Sequence, residues 1–194
     1  MLKVLLMVET PQSKAEQLLN EIADIALIEF LPIIGPARGK VLVEEVKKAK
    51  PKNVLEIGTF IGYSTILIGR ELEKNAKITT IEEHSTEAEV AKNNIAQAEI
   101  DVNIQVINGD AIEIIPTLNE TFDFVFLDAS KEEYLQYLKL VESKLTKSAI
   151  IIADNVGKFT AETKDYIDHI RTSGKYTSKY IGRGDDGLEV SIKI

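Results

Sequence analysis

Apolar residues recur at helical spacing through the first quarter of the chain, then give way to short apolar runs separated by amphipathic stretches. Residues 13–30 carry Leu18, Leu19, Ile22, Ile25, Ala26 and Ile28 on a helical repeat behind Ser13, a natural cap. Pro32, Gly35 and Pro36 break that pattern, and Val41, Leu42 and Val46 predict a second helix over 38–50 that Pro51 stops. From residue 53 the period changes. Runs at 53–57, 77–81, 103–107, 122–127 and 148–153 read as strands, with helices between them at 62–73, 85–98, 111–118 and 131–144 and another at 160–171. Alternating strands and helices imply a parallel sheet built from right-handed crossovers. The end differs: 175–181 and 188–194 read as strands joined by the glycine- and aspartate-rich stretch Gly182–Gly187, which predicts an antiparallel hairpin. The expectation is one α/β domain over 1–194, with an N-terminal helical layer (1–50) and a sheet core (51–194). The apolar start MLKVLLMV reads as the beginning of a packed helix or strand, because Glu9, Thr10 and Pro11 follow without a small-residue cleavage signature.

At 194 residues the chain suits one well-filled α/β domain. Zero cysteines exclude a disulfide framework, a thiolate metal site and a cysteine nucleophile. A formal net charge of −8 argues against a nucleic-acid surface, which needs clustered Lys and Arg. The densest basic run, Lys47, Lys48, Lys50 and Lys52, falls at a helix end, where cations favour the dipole. No apolar stretch is long enough to span a bilayer, so neither membrane nor nucleic acid is expected as a partner, and the location expected is cytoplasmic.

The chemistry concentrates at predicted strand ends. Gly58 and Gly62, in VLEIGTFIGYS, sit between a strand and a helix and lack the third glycine of a dinucleotide loop. Glu56, just before that loop, would repel a pyrophosphate but welcome an ammonium and a sulfonium, as in S-adenosylmethionine. Glu82 ends the next strand roughly twenty residues on, where an acid takes ribose hydroxyls. Asp110 opens a helix and suits both an N-cap and an adenine contact. FDFVFLDAS and SAIIIADN both end in aspartate, placing Asp128, Asp154 and Asn155 at the ends of neighbouring strands. Two carboxylates and an amide suit a hard divalent cation, and Lys131 stands close by as a base.

In these stretches the chain resembles the cation-dependent O-methyltransferases, the group containing the catechol and caffeoyl-CoA enzymes. The motifs are VLEIGTFIGYST (54–65), NGDAIEIIPTL (108–118), FDFVFLDASKEEY (122–134), IIADNV (151–156) and DGLEVSIK (186–193). The resemblance implies a Rossmann-like S-adenosylmethionine-dependent methyltransferase fold. It implies that Asp128, Asp154 and Asn155 hold Mg²⁺ or another divalent cation and that Lys131 is the catalytic lysine. It also implies that Glu56, Gly58, Tyr63 and Ser64 line the methionine end of the cofactor, that Glu82 takes the ribose, that Asp110 and Ala111 flank the adenine, and that Ile34 closes over it. Against the catechol enzyme, Tyr180 stands where a glutamate orients a substrate hydroxyl, Ser130 stands where an aromatic residue precedes the lysine, and the N-terminal region is shorter.

The reading is therefore a magnesium-dependent O-methyltransferase acting on a small aromatic vicinal diol, with a homodimer as the family-level expectation. Its rivals are a methyltransferase for RNA or protein, a non-catalytic S-adenosylmethionine-binding module and a nicotinamide dehydrogenase, the last disfavoured by Glu56. His84 reads as a solvated loop residue, His169 has no role, and Tyr134, Leu135 and Leu138 read as a core-facing helix stripe. Arg183, Asp185 and Asp186 read as hairpin-tip residues, and the sequence leaves open whether they face the acceptor.

Overall fold

The computed structural model describes residues 13–194; the apolar start at 1–8 lies outside the described residues. Helix α1, Lys14–Glu29, begins where Ser13 accepts the N–H of Glu16, and it buries Ala15, Leu19, Ile22 and Ala26. It ends at Phe30 in the left-handed region. Helix α2 spans Gly35–Ala49 and starts three residues before its expected boundary. Pro36, read as a breaker, instead occupies the first turn, where a missing N–H costs no hydrogen bond.

The core alternates β1 (Asn53–Ile57), α3 (Tyr63–Gly69), β2 (Lys77–Glu82), α4 (Ser85–Gln97), β3 (Asn103–Asn108), α5 (Ala111–Thr117) and β4 (Phe122–Leu127). A 3₁₀ turn at Lys131–Glu133 leads into α6 (Tyr134–Val141), followed by β5 (Leu145–Ala153), α7 (Lys164–Thr172), β6 (Tyr176–Arg183) and β7 (Asp186–Lys193). The strand order is β3-β2-β1-β4-β5-β7-β6, parallel through β5, with β7 antiparallel to both β5 and β6. The expected parallel sheet with an antiparallel C-terminal hairpin therefore forms.

Helices α3 and α6 are shorter than the pattern implies, α7 starts four residues later, and strand boundaries shift at β5 and the hairpin. Strand β5 starts at Leu145 because polar residues up to Ser148 (φ 63°) bulge between two stretches of pairing with β4. The hairpin strands pair up to Arg183 and Asp186, so the turn is only Gly184–Asp185, with Gly184 supplying the positive φ.

The sheet is covered on both faces. Leu55, Ile57, Val125 and Leu127 pack towards α5, α6 and α7, whereas Val54, Phe124, Phe126 and Ile152 pack towards α1, α2 and α3. Successive side chains on a strand point to opposite faces. That alternation decides where each site residue points, and it puts the N-terminal helical layer into the same hydrophobic cluster as one face of the sheet.

Candidate functional site

Strand order reverses beside β1, between β2 and β4, and a cavity of about 540 Å³ opens at the carboxyl ends of these strands. That is where ligands of open α/β sheets bind, and the volume lies in the small-molecule range of roughly 300–1,000 Å³. Gly58, Glu82, Asp110, Ala111 and Asp128 line it. The Glu82 carboxylate accepts the N–H of Phe60 at 2.7 Å and of His84 at 3.0 Å. It is therefore aimed by the loop after β1, whose Phe60 holds φ at 49°. His84 is solvated as expected, yet its ring stands 3.3 Å from Glu82 and borders the cavity. Asp110 caps α5 through the N–H of Ile112 at 2.7 Å while also facing the cavity, so cap and ligand contact are compatible.

The remaining residues expected around the cofactor stand behind the cavity wall. Glu56 shares the strand face of Val54 and points under α3, fully buried. One of its carboxylate oxygens accepts the hydroxyls of Thr65 and of Thr80 (2.6 Å), and the other has no partner. Burial pushes its pKa up to about 7, against the pull of the Ser64, Thr65 and Thr80 hydroxyls, and Asp128 adds to the rise. Ser64, buried on α3, stands beside Glu56. Tyr63 borders a separate cavity of about 280 Å³ among α1, α2 and α3, and Ile34 is buried at the head of α2.

The glycines also answer to packing. A Cβ on Gly58 (φ 96°) would sit 2.2 Å from the carbonyl oxygen of Asp128, and one on Gly62 (φ 86°) would press on Ala91 at 3.4 Å. Close approach of loop to loop and of α3 to α4 is what these positions demand.

The acidic cluster assembles from two strand ends held in step. The N–H of Asp128 donates to Ile57 O at 2.9 Å, and that of Asp154 to Leu127 O at 3.0 Å. Asp128, Lys131 and Asn155 line the cavity, with Asp154 fully buried behind them. Lys131 Nζ lies 2.8 Å from Asp128 Oδ1 and 2.8 Å from Tyr134 Oη. Tyr134 is core, as its helical spacing implied, but its hydroxyl also reaches Leu127 O (3.0 Å) and Asp154 O (3.2 Å), knitting the two strand ends to the lysine.

The alternation that turns Ile150 and Ile152 towards α2 continues to Asp154, which meets Arg38 there. Arg38 Nε stands 2.7 Å from Asp154 Oδ1 as an ion pair without hydrogen-bond alignment, and Nη1 stands 3.7 Å from Asp186 Oδ2. Neither Asp154 oxygen has a hydrogen-bond partner. Burial, then the nearby Asp128 charge, pushes its pKa up to about 7, with Arg38 opposing. A buried carboxylate with two unbonded oxygens, a second carboxylate and an amide is a donor set that fits a hard divalent cation. Among the described residues no group of three or more His, Cys, Asp or Glu gathers for a metal, so the amide of Asn155 is needed to complete this one.

Sequence reasoning passed over Arg38, Lys158 and Phe159, all of which border the cavity. Arg38 sits inside PIIGPARGK, one helical turn after Ile34, and that spacing was its available signal. Of the hairpin-tip residues, Asp185 and Asp186 face the cavity, whereas exposed Arg183 bonds to Gly182 O and does not border it. Tyr180 lies against Gly157 and Gly187, where any Cβ would strike its ring or hydroxyl, and it too stands outside the lining. Ser130 and Tyr137 complete the wall beside Lys131. His169 packs by Tyr176 on α7, away from all of this.

Comparison with known proteins shows the family of the chain. The O-methyltransferase family model matches residues 10–174. Catechol O-methyltransferase B of Danio rerio is 37% identical over 177 residues, covering 84% of this chain and 66% of that protein. The catechol O-methyltransferase of Niastella koreensis is 38% identical over 127 residues, 63% of this chain and 58% of that protein. The chain thus spans less than two thirds of the length of these two relatives. An O-methyltransferase from Bacillus cereus, solved in complex with SAH, superposes with a TM-score of 0.83 at 25% identity, over 97% of this chain and 94% of that one.

Proposed function

Since the chain belongs to the O-methyltransferase family, we propose that it moves a methyl group from S-adenosylmethionine to one hydroxyl of a small catechol-like vicinal diol, assisted by Mg²⁺ or another divalent cation. The observation that carries the reading is Asp154. A fully buried carboxylate that has the Arg38 ion pair on one oxygen and no hydrogen bond on either is under-satisfied, and a cation held with Asp128 and Asn155 at the same strand ends would complete it. The resemblance to proteins named catechol O-methyltransferase supports the choice of acceptor.

Bound S-adenosylmethionine supplies an electrophilic methyl on a sulfonium, and the cation supplies charge that makes a phenol, ordinarily of pKa near ~10, easier to ionise. The rest falls to the chain. Asp128, Asp154 and Asn155 hold the cation. Glu82, fixed by two backbone N–H groups, takes the ribose hydroxyls, and Asp110 with Ala111 borders the adenine. Glu56, its pKa raised to about 7 by burial, supplies a negative charge from beneath the cleft floor, below the methionine end, once its proton has left. Lys131 Nζ accepts the proton from the acceptor hydroxyl. For that it must be neutral, and its contact with Asp128 at 2.8 Å holds the amine beside the cluster. Tyr134 Oη then keeps the amine in place. Because the two reacting groups need only meet in line, positioning supplies most of the acceleration.

The test is methyl transfer from labelled S-adenosylmethionine to a panel of catechols and matched monophenols, with and without chelator. Vicinal diols should be methylated, the chelator should stop the reaction, and Mg²⁺ should restore it. Full turnover in excess chelator would refute the role of the acidic cluster.

A further inference from the structure

Asp186 is 2% exposed at the start of β7, and its carboxylate is filled by donors. Oδ1 accepts the N–H groups of Gly187 at 2.7 Å, Lys158 at 2.9 Å and Gly157 at 3.1 Å. Oδ2 accepts Asn155 Nδ2 at 2.6 Å and faces the Arg38 guanidinium at 3.7 Å. Every hydrogen-bond contact of this carboxylate is with an N–H donor, the arrangement that suits its ionised, acceptor-only form. Oδ1 is saturated by its three donors, and the lone pair that Oδ2 keeps faces the Arg38 guanidinium, a cation that disfavours a metal on this carboxylate.

We propose that Asp186 is the positioning residue of the cation site, fixing which atom of the Asn155 amide faces the cavity; this rests on the metal-dependent reading above. An ionised carboxylate can only accept, so the atom of Asn155 turned to it must be the nitrogen. Oδ1 is thereby left as the amide's free face, and Asn155 borders the cavity. Two of the backbone N–H bonds on the other oxygen, from Gly157 and Lys158, pin the turn that carries Asn155, whose backbone sits at φ 59°, a conformation asparagine tolerates. The hairpin, which brings β7 alongside β5, therefore selects a ligand atom on the strand next to it.

The swap of partners tests this. In Asp186→Asn, the side-chain oxygen is still claimed by the three N–H groups, so its NH₂ faces Asn155. The Asn155 amide must then turn over and present nitrogen to the cation. Asn155→Asp alone sets two carboxylates against each other. The double variant Asn155→Asp with Asp186→Asn restores one donor against one acceptor and returns an oxygen to the cavity side. Mn²⁺ affinity is measured by calorimetry in the presence of S-adenosylhomocysteine and without acceptor, alongside melting temperatures. Asp186→Asn should bind Mn²⁺ roughly 10- to 100-fold more weakly. The double variant should recover at least about tenfold of that loss, whatever its melting temperature, since a carboxylate oxygen again faces the ion. Unchanged Mn²⁺ affinity in Asp186→Asn, or no recovery in the double variant, overturns the positioning role alone. Failure of the unaltered protein to bind Mn²⁺ overturns the metal-dependent reading and this inference with it.

Discussion

Lys131 is held between a carboxylate and a phenol, 2.8 Å from each, so the amine cannot drift into solvent. A lysine so placed is either a proton acceptor or a counter-ion for Asp128, and kinetics distinguish the two. Lys131→Met should lower kcat by roughly 10²–10⁴ while leaving S-adenosylhomocysteine affinity within about twofold, the usual cost of removing a positioned base. The loss should shrink for nitro-substituted catechols, whose hydroxyl ionises without help. An equal loss across acidic and ordinary catechols would make Lys131 a counter-ion only.

At the scale of elements, the site depends on how closely the loop after β1 approaches the loop after β4. Gly58 has no room for a side chain, since a Cβ would lie 2.2 Å from Asp128 O, and its φ of 96° is one that L-residues rarely adopt. Gly58→Ala should cost roughly 2–4 kcal/mol of stability, combining strain with a backbone clash. Because the clash falls on Asp128, Mg²⁺ should stabilise the variant less than it stabilises the parent. Chemical denaturation with and without Mg²⁺ measures both effects. A loss under about 0.5 kcal/mol, the size of an ordinary surface change, would mean the two loops separate freely.

For the molecule as a whole, two buried acids set the response to pH. Glu56 and Asp154 are raised from 4.5 and 3.8 respectively to about 7, each chiefly by burial. Between those ordinary values and about 7 the folded chain holds protons that the unfolded chain has released, so stability falls as pH rises through that window. Asp186, held below its ordinary 3.8, acts in the opposite sense, and its stabilisation is lost only at acid pH beneath that value. In chelator, the melting temperature should therefore decline from pH 5 to 8. Mg²⁺ should recover more at pH 8 than at pH 5, because at pH 5 it competes with a proton on Asp154. A melting temperature that does not fall between pH 5 and 8, or equal recovery at both ends, would show that these acids do not govern folding.

Local pattern by itself determined the elements and the chemistry they carry. Apolar periodicity placed the crossover helices and strands to within a few residues, because burial on one face or two leaves a fixed repeat in the chain. Acids after the apolar runs located Glu82, Asp128 and Asp154 at one edge of the sheet, since parallel strands all end on the same side. Boundaries set by long-range pairing were not legible: β5 reaches back to Leu145 because β4 offers it a partner beyond the bulge. Strand alternation, fixed only once the helical layers choose their faces, sent Glu56 beneath α3 and Asp154 towards α2. The pairing of Asp154 with Arg38 joins residues more than a hundred positions apart, and that of Asn155 with Asp186 depends on β7 lying beside β5. The sequence determined which groups reach the carboxyl edge of the sheet; tertiary packing decided which of them face the cavity, which stand behind it and which oxygens go without a hydrogen bond.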